Sequence, residues 1–272
     1  MNKYLQLFRF ANGLMGITGV IAGALIAAGL DAQEHWFRLA VASAVVVLFM
    51  GGGNALNDYV DRDIDVVSHP ERPVPSGRMR PREALYAGAG AFAASVAVSF
   101  LLWDAVSIII VLAACALMLS YELRLKQRGL IGNVTIAVLT GMLFLLGGAV
   151  TGNVANVAAM AAMAAMVSIG REIAKDIEDM GGDEGRRTLP MRIGVKKAGI
   201  VGSVMIIAGV ALSIWPLITK MFGPLYYIIA AADALFIYAS YIMSKNAHTA
   251  QKMCKAAMFV ALVAFMLGAV YT

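Results

Sequence analysis

Asn57, Asp58, Asp61 and Asp65 crowd the end of a long apolar run, and with Asp63 they place four carboxylates in eight positions. A second stretch, Arg171 to Asp183, carries Asp176, Asp179 and Asp183. In both, three aspartates fall at i, i+3 and i+7, and the sets are offset by the same 118 residues. On a helix that spacing puts all three on one face. Stacked like charges repel, and beside a membrane they are costly to dehydrate. A cation must sit between them, and a divalent metal is the simplest candidate.

Two such faces, with surplus arginine and lysine, suit a diphosphate ester. Mg²⁺ binds one or two carboxylates together with substrate phosphate oxygens. Charge drawn onto the metals weakens the bond between the diphosphate and its organic group. If that group is allylic, the bond can ionise, and a long apolar bundle would hold the tail and keep water away. The competing account of each cluster is a solvated loop.

Other polar residues have two readings. Lys126, in Tyr121-Glu-Leu-Arg-Leu-Lys126, suits a phosphate contact or an interfacial anchor. Arg9 and Asn12 lie three apart at an apolar run's entry, where they could face a cavity; Asn133 is placed similarly. Asp233 lies inside an apolar run without an assigned role, and His69 reads as a loop histidine.

The elements that must position these groups are membrane helices. The 272-residue chain is 60% hydrophobic and 14% charged, too little charge for a soluble domain of this length. Apolar runs at 11–30, 36–57, 84–103, 104–121, 130–151, 154–172, 198–219, 222–243 and 253–271 predict about nine spans. Trp103-Asp104 and Thr151-Gly152-Asn153 predict tight turns. With the N-terminus in the cytoplasm, 20 of the 22 basic residues fall inside, leaving Arg38 and Lys220 outside. The bias accounts for the net charge of +5 without nucleic acid, and it sets both aspartate clusters on the cytoplasmic side and the C-terminus outside. Cys115 and Cys254 sit in apolar runs as packing residues. The expected fold is all-α: one polytopic bundle over residues 1–272, with two pseudo-repeated aspartate-rich halves around a central cavity. Independent convergence on a metal-binding spacing would account for the repeat as well.

At these residues the sequence resembles the UbiA superfamily of intramembrane prenyltransferases. Asn57, Asp58, Asp61 and Asp65 match its first motif; Asp176, Asp179 and Asp183 match its second. The likeness covers essentially the whole chain. It extends in particular to the archaeal branch that builds ether lipids, through Arg72-Pro-Val-Pro-Ser-Gly77-Arg78, Leu130-Ile-Gly-Asn133, Leu139 to Gly148, and Arg171 to Asp179 with Thr188-Leu-Pro190. The resemblance implies Mg²⁺-dependent transfer of a geranylgeranyl group from geranylgeranyl diphosphate to the free hydroxyl of geranylgeranylglyceryl phosphate, in the cell membrane. It implies that Asn57, Asp61 and Asp65 hold one metal and Asp176, Asp179 and Asp183 the other, with Asp61, Asp65, Asp179 and Asp183 as the catalytic carboxylates. Asp58 would assist at the substrate, with Arg72, Lys126 and Arg171 near phosphate oxygens and Arg9 and Asn12 beside them.

Two alternatives stay open. An aromatic-ring prenyltransferase of the same superfamily would need the same metals and another acceptor pocket. An ion-coupled transporter would need charge near mid-membrane, where only Asp233 qualifies. A CDP-alcohol phosphotransferase would need Asp-Gly-x-x-Ala-Arg between aspartate pairs, which is missing from the sequence.

Overall fold

The computed structural model describes residues 2–181 and 188–271. In order, the helices are α1 (Lys3–Phe8), α2 (Phe10–Ala28), α3 (Trp36–Val60), α4 (Arg62–Ser68), α5 (Pro81–Ser99), α6 (Ala105–Ser120), α7 (Leu130–Val150), α8 (Val154–Glu178), α9 (Leu189–Ile193), α10 (Val195–Leu212), α11 (Trp215–Ile218), α12 (Ile229–Ile242) and α13 (Ala247–Val270). No strand occurs among the described residues. This is the expected all-α membrane bundle.

Among the described residues, eight helical stretches are long and apolar enough to cross a membrane. The first, Phe10–Val60, is 51 residues long. At 1.5 Å per residue it would reach about 75 Å, against a hydrocarbon layer of about 30 Å. The chain therefore folds back at the 3₁₀ turn Gly29–His35, and α2 packs against α3. With that hairpin counted as two, the crossings match the nine expected. The two predicted turns also fall where helices meet. Asp104 caps α6 by accepting from the Ser107 amide at 2.7 Å, and Gly152 takes φ +80° between α7 and α8.

Two apolar cores share a spine. Val45, Phe49, Phe92 and Val111 join α3, α5 and α6 with parts of α2 and α7. Met160, Ile206, Phe236 and Phe265 join α8, α10, α12 and α13 with other parts of α2 and α7. The spine needs small residues. A Cβ on Gly147 would overlap the Val20 carbonyl, and one on Gly23 would overlap the Phe144 backbone. These glycines let α2 and α7 approach backbone to backbone, as membrane helices do without a hydrophobic drive. Trp36, Trp103 and Trp215 are all exposed at the helix ends opposite the aspartates. They form the aromatic belt expected at a membrane interface.

Candidate active site

The first motif sits where α3 gives way to α4. Asn57 is in the last turn of α3, Asp61 is the joint, and Asp65 lies one turn into α4. The i→i+4 ladder continues across the joint, Asp61 N to Asn57 O and Asp65 N to Asp61 O, both 2.8 Å. Asn57, Asp61 and Asp65 therefore line one cavity of about 1100 Å³. Asp58 does not. It is 1% exposed, bonded to Arg9 and 3.8 Å from Arg72, outside the cavity lining. On α3 Asp58 projects about 100° away from Asn57 and is held by Arg9, so the lining set is Asn57, Asp61 and Asp65, four residues apart, in place of the expected Asp58, Asp61 and Asp65.

Each carboxylate of this motif is met by a cation. Arg72 Nη1 lies 2.5 Å from Asp65 Oδ2, and Lys126 pairs with Asp61 and with Glu122, the latter at 3.3 Å. Arg9 reaches Asp58 from the joint between α1 and α2, where its φ of +47° is left-handed. A non-glycine residue there carries strain of about 1 kcal/mol, held where a side chain is aimed into a site. Asn12 donates to Asn54 at 3.4 Å and also lines the cavity.

Lys126 follows a π turn, Tyr121–Leu125, closed by Lys126 N to Tyr121 O at 2.9 Å. Such turns insert a residue and re-aim side chains, often at functional sites. Here the turn buries Glu122, which accepts from Asn57 Nδ2 at 3.2 Å while pairing with Lys126. Sequence reasoning missed Glu122. The available signal was a carboxylate four residues before a lysine at a span end.

The second motif ends α8. Asp179 is the helix cap and lines the same cavity, as do Arg171, Glu172, Lys175 and Glu178. Arg171 pairs with Glu172, and Glu178 meets His248 of α13 at 2.5 Å. Asp176 is turned toward α7, accepting from Asn133 Nδ2 at 2.8 Å, and is outside the cavity lining. Asp183, with Arg186 and Arg187, lies outside the described residues. Lys255 of α13 also reaches the cavity. His69 is exposed at the rim, 3.6 Å from Glu71. Asp233 is remote from this site and accepts from Ser213 at 2.8 Å.

Both motifs thus open onto one chamber whose inner walls are apolar: Phe49, Met50, Met118, Ile136, Leu139 and Leu143. Among the described residues no three His, Cys, Asp or Glu side chains stand close enough to cage a metal alone. The donors nonetheless suit a hard cation that takes one or two carboxylates and completes its shell with phosphate oxygens. Lys126 and Arg72 set positive charge directly against Asp61 and Asp65.

A family model, the UbiA prenyltransferase family, matches residues 17–266. A digeranylgeranylglyceryl phosphate synthase from Methanosarcina barkeri is 40% identical over 285 residues, covering 98% of each chain. The synthase of that name from Methanosphaera stadtmanae is 34% identical, over 99% of this chain and all of its own. A solved structure of a digeranylgeranylglyceryl phosphate synthase superposes with TM-score 0.86 at 33% identity, covering 98% of each chain. A UbiA homologue from Archaeoglobus fulgidus, solved with DMAPP and Mg²⁺, shares the fold at TM-score 0.76 and 15% identity over 99% of each chain. With its motifs on one chamber and relatives of this identity along its full length, the chain belongs to the UbiA prenyltransferase family.

Proposed function

We propose that this enzyme transfers a geranylgeranyl group from geranylgeranyl diphosphate to the free hydroxyl of geranylgeranylglyceryl phosphate. The observation that carries the reading is the shared chamber, acidic and cationic at its mouth and apolar within. The full-length relatives named digeranylgeranylglyceryl phosphate synthase favour this acceptor over an aromatic ring.

Asn57, Asp61 and Asp65 would hold one metal, and Asp179 with Asp183 the second, Asp176 being turned away to Asn133. Mg²⁺, when bound, supplies Lewis-acid neutralisation of the leaving diphosphate. Lys126 and Arg72 hand their charge from Asp61 and Asp65 to phosphate oxygens as the site fills. Asp58 remains a buried anchor that holds Arg9 and Arg72 in place. Phe49, Leu139 and Leu143 enclose the tail and exclude water from the cationic C1. The C1–O bond breaks with its electron pair going to the diphosphate, and the acceptor oxygen bonds C1 on losing its proton. That proton leaves late, so no histidine or cysteine base is needed. The whole chain acts as one unit in the cell membrane, its chamber open to the cytoplasm and its N-terminus on that side.

The test is an acceptor assay with purified protein, labelled geranylgeranyl diphosphate and Mg²⁺. Product is expected with geranylgeranylglyceryl phosphate and not with 4-hydroxybenzoate, and chelation should abolish it. Product from the aromatic acceptor alone refutes the assignment.

A further inference from the structure

The chamber has two cationic walls that differ in how their charge is used. On one wall, Arg9, Arg72 and Lys126 each close on a carboxylate of the first motif or its neighbours. On the other, Arg171 and Lys175 lie one turn apart on α8, and Lys255 faces them from α13, which packs along α8. Among the described residues, neither Lys175 nor Lys255 has an ion-pair partner. Both are exposed and line the chamber. All three cations lie toward the ends of α8 and α13 at the chamber mouth, where the second aspartate motif also stands. Lys255 lines the chamber and Lys252, one turn earlier on α13, does not.

We propose that Arg171, Lys175 and Lys255 form a second anion subsite on the α8–α13 wall that binds the phosphomonoester of the acceptor, separate from the Arg72 and Lys126 contacts left to the diphosphate. This rests on the function proposed above. A phosphomonoester carries close to two negative charges and three acceptor oxygens, and several ammonium or guanidinium donors are its natural complement. The subsite would set the acceptor's head group against the α8–α13 wall and leave Arg72 and Lys126 to the donor. It would also select against acceptors that lack a phosphate.

The test compares wild type, K175M, K255M and K255R, as purified full-length protein, with geranylgeranylglyceryl phosphate and with its dephosphorylated counterpart. In each methionine variant the KM for the phosphorylated acceptor should rise on the order of tenfold, reflecting a lost charge-assisted contact. The donor KM should stay within about twofold, and the preference for the phosphorylated acceptor should shrink. K255R should restore most of that preference. A parallel rise in donor KM, or an unchanged preference, overturns the subsite alone. Failure of wild type to use either acceptor overturns the function and the subsite together. Wild type gives an independent reading should the variants not fold. Glycerol 1-phosphate should compete with the acceptor, and competition against the donor only overturns the subsite.

Discussion

The two aspartate motifs share a backbone plan and differ in their surroundings. Both α3 and α8 are 25 residues long, and their ends are offset by the 118 positions that separate the aspartates: Trp36 and Val154, Val60 and Glu178. Asp61 and Asp179 each cap their helix with nearly the same dihedrals, φ −87°, ψ 7° and φ −81°, ψ −3°. From there the motifs diverge. Asp61 and Asp65 are buried and already paired with Lys126 and Arg72. Asp179 is exposed at the rim, and Lys175 beside it is exposed too. A matched spacing therefore fixes where carboxylates project. It does not fix how deeply they are buried. That depends on the neighbouring elements, and the first motif has Arg9, the loop residue Arg72 and the π turn before Lys126 around it.

The largest expected effect tests whether the motifs are chemically equivalent. Asp61→Asn and Asp179→Asn should each lower turnover by orders of magnitude, in line with loss of a charge that acts on the departing diphosphate. Initial rates in a detergent-solubilised preparation measure this, with thermal unfolding as a control for folding. Near-normal turnover in both removes the metal role. A large loss in only one shows that the two motifs do not contribute alike.

A smaller effect separates their energetics. Arg72→Met would strand the buried Asp65 carboxylate and leave Asp58 with Arg9 alone, and should cost about 3 kcal/mol of stability. Lys175→Met, on the exposed side, should change stability by less than about 0.5 kcal/mol. Chemical or thermal unfolding without substrate or Mg²⁺ distinguishes them. Equal losses would mean that the second motif is as firmly locked as the first.

The smallest effect lies at the far end of the bundle and serves as a reference for both motifs. Burial opposes ionisation of Asp104. Contacts with Ser107, whose amide donates at 2.7 Å, and with the Val106 amide, together with the Arg38 charge, outweigh it and hold the carboxyl below its usual range. Because the folded value is depressed, the stability that this group adds is present above its unfolded value of about 3.9 and is lost as pH falls through the folded value. Asp104→Ala should therefore cost about 1 kcal/mol near neutral pH, as a lost helix cap, with turnover unchanged. A fall in turnover comparable to Asp61→Asn would mean that the outer end is coupled to the chamber.

Much of this was legible in the residues. The nine crossings, the two tight turns and the shared chamber follow from apolar run length, Gly and Asp placement, and charge bias. Asn57, Asp61, Asp65, Asp179, Arg9, Asn12, Arg72, Lys126 and Arg171 all line the chamber. Asp58 and Asp176 do not, and the reasons are local. Asp58 is held by Arg9, and Asp176 accepts from Asn133 on α7. Neither partner is visible to a spacing rule, which follows one helix and not its neighbours. Glu122 escaped for a related cause, since a π turn has no sequence period of its own.

The sequence by itself determined the membrane class, the number of crossings and the helix ends that carry the carboxylates, because hydrophobic length and one-dimensional spacing act along the chain. Only the tertiary structure decided which carboxylates are buried against cations and which lysines remain open to the chamber. Those outcomes depend on contacts between helices far apart in sequence, Arg9 with Asp58, Asn57 with Glu122 and α8 with α13.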